Sequence, residues 1–304
     1  MKQKTLISIV GPTAVGKTST AIKIAQAFNA EIISSDSRQF YKEISVGTAK
    51  PTKEELTQVP HHFINNLSIS QDYNASKFEE DVVSFLSTYF EHHDIAIMCG
   101  GSGMYVDAVI KGFDNEIPTA NQELRDELNN AFALKGISYL QNKLLELDPK
   151  ASQTIDIQNS KRLLRAIEIC LITGKTNAEI KRGIEKERDF NIIQIGLELP
   201  RFQLYERINQ RVDLMIADGL IEEVEEVLPF RNMNALKTVG YKEVFEYLDG
   251  NYTLELCIEK IKTNSRRYAK RQLTWFKRND KIQWFSPSEI NKISLYIRSI
   301  IEKP

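Results

Sequence analysis

The 304-residue chain has no uninterrupted apolar run long enough to cross a bilayer, and Met1 to Thr5 lacks the layout of a signal peptide. Those two absences predict a cytoplasmic protein with no membrane partner. Cysteine is scarce: Cys99, Cys170 and Cys257 are odd in number and far apart, which excludes a disulfide framework and a C-x-x-C zinc or redox site and leaves three buried thiols. Positive charge is not in excess either. Forty basic against 41 acidic residues give a net charge of −1, which argues against a protein that simply coats nucleic acid. Repeats and low-complexity stretches are also missing, so solenoids are excluded. What remains, at 42% apolar and 27% charged residues, is an ordinary globular chain of one large or two modest domains with ample length to bury a core.

The even charge balance conceals local polarity. Lys260 to Arg278 carries eight basic residues and no acidic one, whereas Asp218 to Glu226 carries five acidic residues and no basic one.

The strongest positive signal is Gly11-Pro12-Thr13-Ala14-Val15-Gly16-Lys17-Thr18, entered directly from the apolar run Leu6 to Val10 and followed by a helical pattern over Ser19 to Phe28. This is G-x-x-x-x-G-K-(S/T), a phosphate-binding loop in its proper strand-to-helix context. Gly11 and Gly16 let successive backbone N–H groups turn inward, the helix adds its positive dipole end, and Lys17 adds a full charge. Such a loop holds a diphosphate or triphosphate. The Thr18 hydroxyl is placed for Mg2+ on the same oxygens. The alternative, a glycine-rich turn without a ligand, needs the context to be an accident.

The pattern Leu6–Val10, helix, Glu31 to Ser35 opens a βαβ unit and hence a parallel sheet. His61 to Asn65 reads as a further strand, Asn74 to Phe90 as a helix, and Ile95 to Met98 as a buried strand running into Gly100-Gly101-Ser102-Gly103. From Pro118 to Gly183 only helical periodicities occur, before the strand pattern returns at Ile192 to Leu197. The expectation is an α/β fold: a P-loop NTPase-like parallel sheet core with helices on both faces, formed by 1–115 and 191–304 with its C-terminal helices, interrupted by an all-helical insertion domain, 116–190. One continuous α/β fold with long loops is the alternative. Further helices are predicted over Arg201 to Ala217, Leu220 to Leu228, Leu236 to Leu248 and Leu254 to Arg278. On the last, Lys262, Arg266, Arg267, Lys270, Arg271, Lys277 and Arg278 share one half of the wheel, opposite Cys257, Ile258, Ile261, Tyr268, Trp275 and Phe276. A basic stripe of this kind is either a solvated face or a nucleic-acid grip.

An NTP-hydrolysing loop protein needs a second carboxylate for its magnesium, at the end of a strand beside the loop strand. Ile95 to Met98 ends instead in Cys99-Gly100-Gly101, and no N-K-x-D guanine motif occurs. The one carboxylate delivered by a strand end is Asp36, and in a doubly wound sheet it should face the cavity that holds Lys17. Asp36 could be a magnesium ligand through water, a helix N-cap, or a general base acting on an acceptor.

The phosphate loop, Asp36-Ser37-Arg38-Gln39-Phe40-Tyr41, Gly47-Thr48-Ala49-Lys50-Pro51, Gly100 to Tyr105, Asn159 to Glu168 and Lys270 to Phe276 resemble, in order and over nearly the whole chain, the tRNA dimethylallyltransferases. With no cysteines to pair with His61, His62, His92 and His93, the resemblance is to the bacterial type. It implies transfer of the dimethylallyl group of dimethylallyl diphosphate to N6 of the adenine 3′-adjacent to the anticodon of tRNA. It further implies that the loop residues Gly11, Pro12, Thr13, Ala14, Val15, Gly16, Lys17 and Thr18 hold diphosphate, with Mg2+ at Thr18, and hydrolyse no nucleotide. Asp36 is then the general base, Lys17 and Arg211 stabilise the leaving group, and Ser102 lies beside the reacting groups where the family commonly carries Thr. Implied tRNA contacts are Asp36, Ser37, Arg38, Gln39 and Ser102; Arg125, Asn159, Lys161, Arg162, Leu163, Leu164 and Arg165 in the insertion; and Lys270, Arg271, Thr274, Trp275 and Arg278. Each has a plainer reading: Arg162, Arg165 and Glu168 are spaced for intrahelical ion pairs, and Arg125 sits beside Asp126 and Glu127. The partners expected are the tRNA anticodon stem-loop and dimethylallyl diphosphate, with the protein a monomer. A small-molecule kinase holding ATP on the same loop is the competing function, and an RNA-binding module with a vestigial loop is the third.

Overall fold

The computed structural model describes residues 4–112, 118, 121–180 and 185–302. The chain opens with β1 (Thr5–Val10), α1 (Lys17–Phe28) and β2 (Ile32–Ser34), then α2 (Lys53–Gln58), β3 (His61–His62), α3 (Ala75–His92), β4 (Ile95–Gly100) and α4 (Gly103–Lys111). Five helices follow: α5 (Gln122–Lys135), α6 (Ile137–Leu147), α7 (Pro149–Thr154), α8 (Ser160–Thr173) and α9 (Asn177–Ile180). The sheet resumes with β5 (Asn191–Leu197), then α10 (Arg201–Ala217), α11 (Leu220–Glu226), α12 (Tyr241–Leu248), α13 (Leu254–Phe276), β6 (Gln283–Phe285) and α14 (Ile290–Ile301).

All six strands pair in parallel, in the order β3-β2-β4-β1-β5-β6. β1 lies between β4 and β5 and is buried along its whole length, which is why its sequence is an unbroken apolar run and not an alternating one. One face packs Ile7, Ile9, Ile195 and Leu197 against Ala21, Ile24, Leu204 and Ile297; the other packs Leu6, Val10, Ile33 and Met98 against Phe40, Phe78, Val82 and Leu86. Helices therefore cover both faces. Each strand leaves its carboxyl end at the same edge, where a crevice opens beside the loop after β1.

The chain divides into two compact units, Met1–Ile110 with Arg188–Pro304, and Lys111–Glu187. The second is all-helical, with a core of Leu128, Leu140, Leu144, Leu163 and Ile167. The 115/116 boundary expected from composition, and the expected helical tract at Lys181 to Gly183, lie outside the described residues.

Several expected element limits shift for local reasons. The strand expected over His61 to Asn65 stops after His62, because Phe63 and Asn65 take φ of 60° and 55°, values no strand accepts. The helix expected over Leu236 to Leu248 splits: a 3-10 turn covers Asn234–Leu236 and α12 starts only at Tyr241, after Gly240 at φ 97°. α11 stops at Glu226 and a 3-10 turn containing Pro229 follows. β6 and α14, beyond Arg278, have no counterpart among the expected elements.

Candidate active site

The phosphate loop folds as its residue types demand, with one addition. Gly11 and Gly16 take φ of 151° and 107°, and Ala14, an L-residue with a side chain, sits at 63°. Gly16 turns the chain straight into α1, so the helix begins at Lys17 and not at Ser19, and Lys17 and Thr18 occupy its first turn. Their N–H groups are thus among the helix's unpaired donors, and the loop offers an anion both a dipole end and a charge. Lys17 Nζ donates to Pro12 O at 2.8 Å. Burial lowers its pKa to about 8, although Cys99 and Asp36 pull the other way. The Cys99 thiol, at the end of β4, is pushed up to about 12 by its own burial and stays protonated.

Asp36 follows β2 at the same edge. Its Oδ1 accepts from Arg38 N at 3.0 Å, so one carboxylate oxygen closes the turn that carries Ser37 to Phe40. The segment after it is a turn and not a helix, so Asp36 is no helix N-cap, and the residue also lines a cavity of about 360 Å³ with Thr13, Ala14, Gly16, Lys17, Thr18, Lys50, Cys99 and Arg211. Lys17, in the first turn of α1, and Asp36, after β2, line the same chamber. Burial lowers Arg211 from its ordinary value and the Asp36 charge opposes this; Arg211 Nη1 lies 3.4 Å from Thr13 Oγ1, over the loop.

A second cavity of about 90 Å³ adjoins the first. Thr13, Asp36, Thr48, Ala49, Arg211 and Tyr268 line both. Its remaining wall is largely apolar: Ile208, Val212 and Met215 from α10, Ile261 from α13, and Val239 from the turn before α12. The arrangement is a polar anion chamber continuous with a small greasy one, and Asp36 stands where they meet.

Ser102 lines neither chamber. Its Oγ accepts from Ser37 N at 3.0 Å, lies 3.1 Å from Ser37 Oγ and hydrogen-bonds the Tyr268 phenol, whose pKa burial and the Asp36 charge raise to about 12. Ser102 thus reaches the chambers through Tyr268, which lines both, and it also orients Ser37 on the turn after Asp36.

The expected tRNA-contacting residues fall into three groups. Ser37, Arg38 and Gln39 follow Asp36 on the same turn; Arg38 Nη1 donates to Asn234 O, and Gln39 Nε2 to Ala49 O at 3.2 Å. In the helical unit, Lys161 and Arg162 are exposed, but Asn159 caps α8 by accepting from Arg162 N, and Leu163 is fully buried in the unit's core, so its side chain has no surface to give. Arg125 pairs not with its neighbours Asp126 and Glu127 but across helices with Glu168, at 2.9 Å, and Arg165 joins the same carboxylate at 2.6 Å. Burial would raise the Glu168 carboxyl, yet the two guanidiniums and the Asn121 N–H outweigh it and hold the pKa below the ordinary range. Leu164 is half-buried beside them.

On α13 the basic stripe divides along its length. Lys262 is held by Asp213 at 2.7 Å and Arg266 by Asn209 at 2.6 Å, while Lys277 is bound to Glu198. Lys270, Arg271, Thr274, Trp275 and Arg278 are exposed, with Arg271 over the Tyr268 ring and Arg278 over the Trp275 ring. The opposite side of the same turn buries Gln272, not an apolar residue: its Oε1 accepts from Thr13 N at 2.8 Å and its Nε2 donates to Gly101 O at 2.9 Å, tying the loop after β1 to the loop after β4.

Sequence reasoning quoted the blocks that hold Thr48, Ala49 and Gln272 but gave these residues no role, and it missed Tyr268 and Thr238 to Gly240 as parts of this site. Gly240, inside the helix expected over Leu236 to Leu248, was the available signal for the last group.

Fold and chamber together define an α/β protein of the phosphate-loop class whose anion site opens onto an apolar pocket. Comparison with known proteins narrows this. The IPP transferase family model matches residues 39–279, and the chain belongs to that family. It is 47% identical to tRNA dimethylallyltransferase 1 of Phocaeicola vulgatus, over 97% of this chain and 98% of that one. With the tRNA dimethylallyltransferase of Christiangramia forsetii the identity is 49%, over 97% and 98%. Among solved structures, the full-length tRNA isopentenylpyrophosphate transferase of Bacillus halodurans is 39% identical with a TM-score of 0.74, covering 99% of this chain and 97% of that one. A eukaryotic dimethylallyltransferase acting on tRNA is 26% identical with a TM-score of 0.82, covering 99% and 80%.

Proposed function

We propose that the chain is a tRNA dimethylallyltransferase that moves the five-carbon group of dimethylallyl diphosphate onto N6 of the adenine on the 3′ side of the anticodon. The observation that carries this reading is the paired cavity: a chamber built for a diphosphate, joined at Asp36 to an apolar pocket of about 90 Å³ suited to a short hydrocarbon tail. A kinase would need room for a nucleoside and, for its magnesium, an acid at the end of the strand beside β1; Glu55 lines the chamber too, but from α2, with Oε2 accepting from Thr52 N. The end of β4 offers Cys99 and Gly100 instead.

In the proposed reaction the N6 amine attacks the allylic carbon. The N–C bond forms as the C–O bond breaks, and the electron pair of that bond leaves on the diphosphate. The proton released from N6 goes to the Asp36 carboxylate. Lys17, Arg211 and the N–H groups at the start of α1 stabilise the charge that develops on the departing oxygens. The oxygen donors present fit magnesium: Thr18 Oγ lines the chamber, and among the described residues no cluster of three or more His, Cys, Asp or Glu exists that would favour another metal. When bound, Mg2+ would neutralise diphosphate oxygens beside Thr18. Adenine in an anticodon loop is stacked, so it must swing out to reach Asp36. The exposed α13 residues Lys270, Arg271, Thr274, Trp275 and Arg278, and Lys161 and Arg162 of the helical unit, are the surfaces proposed to hold the RNA. A tRNA acceptor places the work in the cytoplasm. The cavity walls come from one chain, so a monomer suffices.

The test is incubation with labelled dimethylallyl diphosphate and unmodified tRNA, then digestion to nucleosides. Label on adenosine is expected, lost at least a hundredfold in Asp36→Asn with diphosphate binding kept. Transfer of a γ-phosphate from ATP to any acceptor, with no labelled adenosine, would favour the kinase.

A further inference from the structure

One part of the wall where the two chambers meet is the turn Ser45 to Lys50, whose Thr48 and Ala49 line both. It is not part of the sheet and lies on no long helix, so something else must fix it. A single carboxylate does most of this. Glu223, on α11, accepts from Ser45 N at 2.6 Å and Val46 N at 2.8 Å through Oε2, and from Gly47 N at 2.9 Å and the Tyr241 hydroxyl at 2.6 Å through Oε1. Both oxygens are used twice. Tyr241 is fully buried directly behind the turn, and burial, with Glu223 beside it, keeps the phenol a proton donor. A Cβ on Gly47 would lie 2.6 Å from the Tyr241 ring, so the turn sits against that ring with no room to spare. From the other side, Gln39 donates to the carbonyls of Thr48 and Ala49, and Lys50 Nζ to Tyr41 O, Asn65 Oδ1 and Ser45 Oγ.

We infer that Glu223 is a positioning residue that sets the boundary between diphosphate and hydrocarbon, and so the protein's preference for a prenylated diphosphate over a bare one. This rests on the proposed reading of the two chambers. Glu223 touches neither; it acts through the turn. An isosteric amide in its place can accept from only one of the two donor pairs and presents its own N–H2 to the other, which frees one end of the wall while leaving the phosphate loop as it was.

The experiment is calorimetric binding of dimethylallyl diphosphate and of inorganic pyrophosphate to wild type and Glu223→Gln, with amide hydrogen exchange over Ser45 to Gly47. The expected result is at least tenfold weaker binding of dimethylallyl diphosphate, pyrophosphate affinity within twofold, and faster exchange at the three amides. An equal loss for both ligands, or unchanged binding of dimethylallyl diphosphate despite faster exchange, overturns the inference. Should Glu223→Gln fail to fold, Tyr241→Phe removes one of the four donors and is expected to weaken dimethylallyl diphosphate alone by about threefold; an equal effect on both ligands overturns the inference in the same way. If wild type binds the two ligands equally, the hydrocarbon reading of the second chamber has failed, and the exchange rates still report whether Glu223 fixes the turn.

Discussion

Raising the pH from 7 to 9 should weaken binding of dimethylallyl diphosphate through one buried amine. Lys17 in the empty chamber has a pKa of about 8, lowered by burial, so it is about nine-tenths charged at pH 7 and about one-tenth at pH 9. A diphosphate seated on the loop restores the charged form, because the anion replaces the hydration that burial removed. Binding at pH 9 must therefore take up nearly one proton, and affinity should fall about tenfold, or about 1.4 kcal/mol. The ligand does not confuse the measurement, since phosphate groups have lost their last proton well below pH 9, at about 6. Titration calorimetry in two buffers of different ionisation enthalpy reads the proton count directly. Lys50 lines the same chamber and is also lowered to about 8 by burial, but its ammonium is engaged by Tyr41 O, Asn65 Oδ1 and Ser45 Oγ. Proton uptake should accordingly vanish in Lys17→Met and persist in Lys50→Met. Cys99 and Tyr268, both raised to about 12, stay protonated throughout. The same shift has a stability consequence of definite sign. The unfolded chain holds the Lys17 proton up to about pH 10.5 and the folded one only to about 8, so unfolding free energy rises across that window as a cost of about 3 kcal/mol is relieved. Uptake near zero at pH 9, or uptake retained in Lys17→Met, would refute the assignment.

Two further outcomes follow from the charged surfaces. Arg271→Ala with Arg278→Ala should weaken tRNA binding and flatten its salt dependence by roughly 0.7 to 0.9 in the log–log slope for each phosphate that is no longer neutralised; an unchanged slope in filter binding removes this face from phosphate recognition. Glu168→Gln should destabilise the helical unit by about 2–3 kcal/mol, a figure already reduced because Arg125 and Arg165 are partly exposed, and hydrogen exchange over α5 and α8 measures it. Since the Glu168 pKa is depressed, its contribution is present above the ordinary glutamate range and disappears as the pH falls through the folded-state value.

The local parts of this protein were legible in its sequence, and the distant pairings were not. β1, the loop and α1 could be read together because loop chemistry constrains every residue of Gly11 to Thr18. Asp36 could be placed in one chamber with Lys17 because strand ends in a parallel sheet share an edge. What escaped depended on residues far apart in the chain. Gln272 binds Thr13 across 259 positions, and Glu223 binds Ser45 across 178. No periodicity encodes such pairings. Glu223 lay in view as one of five acids between Asp218 and Glu226, a run that reads as solvated surface until the turn it holds is seen. The Arg125 guanidinium misled for the same reason: its carboxylate partner is on another helix, 43 residues on. Three-residue β6 is too short for any alternation to show.

The two ends of the helical unit meet in a neck, where Lys186 N donates to Lys111 O at 2.7 Å. A segment whose two ends are hydrogen-bonded to each other can be exchanged as a cassette without re-threading the strands on either side. Grafting the corresponding stretch of a relative at that neck would swap one portion of the proposed RNA grip while the chemistry proposed at Asp36 stayed with its original sheet.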